Sequence, residues 1–349
     1  MNAGLIVIIL LLVLSILGIP IYLALGIGTL VALNMADMPF IVLPQKLFAG
    51  MNSSSLLAIP FFMLAGNIMS RSITGKLIDV SNALIGWIKG SLAVVTVLAS
   101  ALFGAISGSG VATASAVGGT TIPAMKEEGY PDHFAAAISG IAAILGPIIP
   151  PSITLIVYAS ITDLSVSKLF VGSVIPGILM AVGLIIYALF YGKKNDLPAH
   201  ERKSAKEVLL IFKDSIWALL MPVIILGGIF GGIFTPTESA AVAVVYALLV
   251  SLLIYKDIKI KDIPGIFVDG AISTATILML VGISKSSGYV ITTSGLPHQV
   301  LEVFSSFTNS TVVILLLLNI LFLVIGMLME ANAAIIMMTP AASAGCVWH

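Results

Sequence analysis

Charge, cysteine and histidine are scarce in this 349-residue chain, and each scarcity closes off a class of function. Only 9% of the residues are charged, against roughly 25% in an average soluble domain. With 16 basic and 16 acidic residues the formal net charge is zero, so the basic footprint of a nucleic-acid-binding surface is absent. One cysteine, Cys346, rules out an internal disulfide framework and a cysteine-rich metal site. The four histidines are scattered without ligand spacing. No basic region precedes the first apolar run. That run, Gly4 to Leu33, is too long for a signal-peptide core and is expected to stay in the mature protein.

Apolar surface, by contrast, is abundant. Hydrophobic residues make up 59% of the chain and the mean hydropathy is +1.17. No soluble core absorbs that much apolar area, so the chain reads as an all-α polytopic membrane protein. Apolar segments lie at about 4–18, 20–35, 56–70, 91–106, 110–125, 134–160, 169–191, 215–234, 238–255, 265–292 and 311–340.

Two interruptions of helical backbone fall inside this apolar sequence. One is Ser107-Gly108-Ser109-Gly110; the other is Gly146-Pro147-Ile148-Ile149-Pro150-Pro151-Ser152. Unpaired backbone at membrane depth costs several kcal/mol per group unless protein or a water-filled cavity satisfies it. Broken helices of this kind mark the ion and substrate site of secondary transporters.

Basic residues cluster at Arg71, Lys76 and Lys89; at Lys126; between Lys193 and Lys213; and at Lys256, Lys259 and Lys261. The positive-inside rule places all four clusters in the cytoplasm. Segment 91–125 must then enter and leave on one side as a re-entrant hairpin with its tip at Ser107–Gly110. Each arm of about 15 residues rises roughly 22 Å and stops short of crossing. The second half repeats the plan with opposite orientation, its hairpin starting near 311 with a tip at Met329-Glu330-Ala331-Asn332. Pro20 parallels Pro236, and Phe62–Gly66 resembles Leu278–Gly282. The expected organisation is a first inverted repeat over 1–191, a cytoplasmic linker over 192–214, and an incomplete second repeat over 215–349. By this count the N-terminus lies outside, unless a single tilted helix covers 4–34.

Hydroxyl and carbonyl oxygens of Ser107, Ser109, Thr113 and Ser115 suit a hard cation such as sodium, against the plain reading that small residues let helices pack closely. The helix beginning near Gly110 also presents a positive end to an anion. Three prolines and a glycine within the 146–152 break free carbonyls near Leu145, Gly146 and Ile149, beyond what a mere kink needs. Thr235-Pro236-Thr237-Glu238 is explained locally as N-cap, N1 proline and capping-box partner. Glu330 is an intramembrane carboxylate, and so a functional candidate, with Asn332 and Thr339 beside it; the alternative is that Asn332 simply caps a helix. Lys285 is expected to snorkel, and Trp87 and Trp217 to anchor at the interface.

Together, Phe103–Thr113, Gly146–Ser152, Phe234–Glu238, Met329–Ile335 and Ile59–Gly66 resemble the large membrane subunit of tripartite ATP-independent periplasmic (TRAP) transporters, over nearly the whole chain to about Pro340. The resemblance implies an inverted-repeat fold with two re-entrant hairpins, in the bacterial inner membrane. It also implies sodium-coupled, elevator-type uptake of an organic acid anion such as a C4-dicarboxylate, sialic acid or sugar acid. The implied partners are a small four-helix membrane subunit and a periplasmic substrate-binding protein. Carried over, the sodium sites would involve Ser107, Gly108, Ser109, Gly110, Thr113, Gly146, Pro150, Pro151, Ser152 and Glu330. Substrate would be met by Ser109, Gly110, Thr113, Glu330 and Asn332. Residues Ala341–His349 do not resemble the family's continuation, so half of the second ion site is expected to be missing. Alternatives are a stand-alone dicarboxylate or arsenite/proton exchanger of the same superfamily, and an intramembrane serine hydrolase using Ser109. The hydrolase would need a base beside Ser109, and no histidine sits at membrane depth.

Overall fold

The computed structural model describes residues 2–199, 202–296, 299, 311–328, 331–335 and 339. Every regular element among them is helical. In chain order these are α1 Ala3–Ile16, α2 Ile21–Met35, α3 Val42–Met51, α4 Ala58–Ser72, α5 Thr74–Ile85 and α6 Ser91–Ser107. There follow α7 Gly110–Thr113, a π-helical turn Ala114–Gly118, α8 Gly119–Glu127, α9 Asp132–Ala143, α10 Leu145–Ile148 and α11 Ile153–Thr162. The chain continues through α12 Val166–Lys194, α13 Ala205–Phe230, α14 Pro236–Leu249, α15 Ile263–Thr293 and α16 Thr311–Leu328. Among the described residues four helices are long and apolar enough to cross a membrane, or up to six if each bent pair counts as one span. Along α12, Ile175, Leu179, Ile186 and Phe190 are each more than 60% exposed, an apolar face that only lipid or another apolar surface can cover. This is a multi-pass membrane protein.

The chain gathers into two compact units. Unit 1 takes Met1–Leu56, Val157–Leu164 and Thr274–His349; unit 2 takes Leu57–Ile156 and Ser165–Ser273. This division follows packing and interleaves the sequence, so it is of a different kind from the expected repeats.

In unit 2, α6 is central and packs against α4, α5, α9, α10 and α12. Leu92 at its start shares a buried cluster with Met125, Tyr130 and Phe134, and Phe134 stacks on Tyr191 with ring centroids 3.7 Å apart. The chain that follows α8 thus shares its packing with the start of α6. Polar contacts join the basic segments of this unit. Arg71 pairs with Asp269 at 2.8 Å, Lys76 with Asp214 at 2.7 Å, Lys89 with Asp196, and the Ser72 hydroxyl donates to Asp257 at 3.1 Å. Exposed pairs of this type contribute little stability, but they place the basic loops together.

Helices in a bilayer associate through close van der Waals packing rather than burial from water, which favours glycine at contacts. Gly90 and Gly192 meet backbone to backbone: a Cβ on Gly90 would fall 2.5 Å from the Gly192 Cα, and one on Gly192 would fall 2.6 Å from the Gly90 Cα.

α13 begins at Ala205, well before the expected start of its apolar segment near 215, so helix takes up part of the supposed 192–214 linker. The cause is a capping box. The Glu207 carboxylate accepts from the Ser204 amide at 2.7 Å, while the Ser204 hydroxyl accepts from the Glu207 amide at 3.3 Å.

In unit 1, α1 and α2 pack as neighbours. The unit's part of α15 holds α2 and α3 through polar contacts inside apolar sequence. Thr29 and Ser287 hydroxyls lie 2.6 Å apart, and the Ser286 hydroxyl donates to the Leu43 carbonyl at 2.9 Å.

Candidate ion site at the hairpin tip

The tip of the 91–125 hairpin is built on Gly108. This residue ends α6 in the left-handed region, with φ +62°, a conformation that penalises any Cβ. Its amide donates to the Gly104 carbonyl at 2.8 Å, closing the helix. Ser109 then turns extended and caps the returning arm, accepting from the Ala112 amide at 3.3 Å. The arm passes through the π-helical turn at Ala114–Gly118, a distortion common at functional sites.

The proline break lies directly against this tip. α10 stops because Ile149 goes extended at ψ 123°, and Pro150 and Pro151, joined by a cis peptide bond, supply no backbone donors. The Ile153 amide donates to the Gly108 carbonyl at 3.2 Å, tying the chain after the break to the hairpin. A Cβ on Gly108 would lie 2.6 Å from the Pro151 carbonyl oxygen, and one on Gly146 only 2.7 Å from the Ser109 carbonyl oxygen. Gly104 faces Gly146 just as closely, and Gly66 of α4 presses on Ser107 from another side.

Among the described residues this contact gathers hydroxyl and carbonyl oxygens. The Thr113 hydroxyl donates to the Ser109 carbonyl at 2.7 Å and lies 3.4 Å from the Ser107 hydroxyl, which is itself 3.5 Å from that carbonyl. Ser107, Thr113 and Ser152 are buried; the Ser152 hydroxyl donates to the Pro147 carbonyl at 2.5 Å and accepts from the Leu155 amide at 3.2 Å. Among the described residues no group of three or more His, Cys, Asp or Glu side chains exists that could hold a metal. What remains is a neutral cluster of hydroxyls and carbonyls, the donor chemistry of a hard monovalent cation.

The structure thus brings together Ser107, Gly108, Ser109, Gly110, Thr113, Gly146, Pro151 and Ser152, with Pro150 in the same break. Ser115 is exposed on the π-helical turn. Asn332 and Thr339 are buried in unit 1, where the Thr339 hydroxyl bonds back to the Ile335 carbonyl at 2.6 Å. Glu330 lies outside the described residues. The Thr235–Glu238 box is a helix cap as expected, the Glu238 carboxylate accepting from the Thr235 amide and hydroxyl, both at 2.8 Å. The Ser109 hydroxyl serves the Ala112 amide rather than a base. Lys285, expected to snorkel, donates to the Ile161 carbonyl at 3.3 Å and lines a cavity that the sequence did not reveal; the run Ser284-Lys285-Ser286-Ser287 within an apolar helix was the signal for it.

Known proteins resemble this chain over most of its length. The family described as "Tripartite ATP-independent periplasmic transporter, DctM component" matches residues 8–346, running past Pro340. An uncharacterized protein of Salmonella typhimurium, YgiK, is 40% identical over 93% of this chain and 75% of its own length. A putative TRAP transporter large permease of Haemophilus influenzae is 38% identical over 93% of this chain and 77% of its own. The C4-dicarboxylate TRAP transporter large permease DctM of Pseudomonas aeruginosa is 40% identical over 84% of this chain and 69% of its own.

Proposed function

This chain belongs to the DctM component family of tripartite ATP-independent periplasmic transporters, a permease rather than an enzyme, and from that premise we propose that its hairpin tip and proline break form the coupling-ion site of sodium-driven uptake. The cargo is an organic acid anion of the C4-dicarboxylate kind for which the Pseudomonas relative is named. The observation that carries this reading is the contact between two broken-helix elements, where the Ile153 amide meets the Gly108 carbonyl at 3.2 Å beside the buried hydroxyls of Ser107, Thr113 and Ser152.

In this reading Ser107, Thr113 and the carbonyls of Gly108, Ser109 and Pro147 replace part of the hydration shell of sodium. Binding closes the tip onto the break, and Gly110 and Ser109 present the positive end of the returning arm to a carboxylate. The hairpin moves substrate across the membrane as an elevator. The basic loops of unit 2 face the cytoplasm of a bacterial inner membrane, and the N-terminus faces outward. A small four-helix subunit and a periplasmic binding protein complete the transporter. Glu330 and Asn332 belong to the matching site of the second repeat.

The test is uptake of radiolabelled succinate by the assembled transporter in proteoliposomes under an imposed sodium gradient. Thr113→Val and Ser107→Ala are expected to raise the sodium concentration needed for half-maximal uptake several-fold without changing insertion. An unaltered sodium dependence in both variants would remove the site from this role.

A further inference from the structure

Unit 1 contains a cavity of about 690 Å³, well within the size range of small-molecule sites, and none of the residues at the hairpin tip line it. Its walls come from α3 and the segment following it, from residues 160–163, and from α15. They carry two ammonium groups, Lys46 and Lys285, against the single carboxylate of Asp163, with Asn52, Ser53 and Ser160 among the neutral polar groups.

The two cations are held in place without being neutralised. The stem of Lys285 lies on Gly50: a Cβ on that glycine would fall 2.7 Å from the Lys285 Cγ and 2.8 Å from its Cβ. The ammonium reaches the Ile161 carbonyl at 3.3 Å, which uses one of its three donors. Lys46 stands 4.3 Å above the Tyr289 ring, on the π-face that attracts a cation. Among the described residues neither lysine has a carboxylate within ion-pair distance. A lysine inside an otherwise apolar helix is costly and by default a functional candidate, and two like charges lining one cavity favour an anion there.

We propose that this cavity is a binding station for a carboxylate of the transported anion, separate from the hairpin tip, with Lys285 as its anchoring cation and Lys46 as the second. The proposal rests on the organic-acid reading given above. Hydroxyl and amide groups of Asn52, Ser53 and Ser160 would hydrogen-bond the rest of a small polar acid, whereas an apolar anion finds few matching contacts. Asp163 offsets one of the two positive charges, so a single carboxylate neutralises the site.

The test is equilibrium binding of radiolabelled succinate to the purified full chain in lipid nanodiscs at fixed sodium. Lys285→Gln and Lys46→Gln are compared with Lys285→Arg and with Lys261→Gln, which lies in unit 2. Removing a charge-assisted contact is expected to weaken binding roughly ten- to a hundredfold for Lys285→Gln and less for Lys46→Gln. Lys285→Arg, which keeps the charge, should retain most of the affinity, and Lys261→Gln should match the unaltered chain. If Lys285→Gln does not fold, Lys46→Gln against Lys285→Arg decides the matter. Succinate binding that ignores both glutamine variants would overturn the cavity assignment and leave the transport reading standing. No binding of succinate, N-acetylneuraminate or a sugar acid by the unaltered chain would overturn both.

Discussion

Replacing Gly108 by alanine probes the junction at its tightest point, and its cost separates into two contributions. The first is conformational: at φ +62° an L side chain costs about 1–2 kcal/mol. The second is steric: the new Cβ would lie 2.6 Å from the Pro151 carbonyl oxygen and 3.1 Å from the Ile153 amide nitrogen, both rigid backbone. Overpacking of that kind costs typically about 1–3 kcal/mol, and relief by separation would stretch the 3.2 Å bond from Ile153 to Gly108. The sum is roughly 2–5 kcal/mol. Two comparison variants isolate the parts. Gly129→Ala, at φ +82° with nothing within 4 Å of its Cβ, carries only the conformational cost. Gly146→Ala, whose Cβ would sit 2.7 Å from the Ser109 carbonyl oxygen and 2.8 Å from the Thr113 hydroxyl, carries only the steric one. Unfolding in mixed micelles, followed by helical circular dichroism, should rank Gly108→Ala as the most destabilised of the three. In transport, sodium activation should weaken for Gly108→Ala and Gly146→Ala and stay unchanged for Gly129→Ala. Equal stability of Gly108→Ala and Gly129→Ala, with sodium activation unmoved, would refute the packed junction.

Three other outcomes are expected. Ser109→Pro and Pro150→Ala should abolish sodium-dependent uptake while membrane insertion, read by protease protection, is retained; uptake at the unaltered rate in both would defeat the ion-site assignment. Thr235→Ala should destabilise α14 by about 1 kcal/mol, as loss of an N-cap does, without shifting sodium activation. Arg71→Gln removes an exposed ion pair and should change stability by less than about 1 kcal/mol, a figure checked in the same unfolding assay.

The two broken elements were legible because glycine and proline act locally: Gly108 and the Pro150-Pro151 pair state their backbone conformations without reference to anything distant. A hairpin that returns to its own side is an expectation that rests on combining arm length with the positions of Arg71, Lys89 and Lys126. Contact between tip and break was not legible, because nothing in the local sequence says that Gly146 faces Ser109 rather than lipid. The early start of α13 was missed although Ser204-x-x-Glu207 is a complete capping signal; hydropathy outweighed it, since Lys206, Lys213 and Asp214 make that first stretch polar. For Lys285, depth within a span suggests snorkelling, and only the fold shows that Gly50 lies under its stem and Ile161 accepts from its tip.

The Gly90–Gly192 seam has a consequence for how this protein can vary. In most packed interfaces an enlarged side chain on one face can be rescued by a smaller one opposite, and such paired changes let a core drift. Here each partner's would-be Cβ meets the other's Cα at 2.5–2.6 Å, and both positions already hold the smallest residue. No second substitution across the seam can make room for a first. A genetic screen for suppressors of Gly192→Ala should therefore return only true revertants or changes that shift α12 as a whole. This point of the fold is reachable by no gradual path in which one side yields to the other.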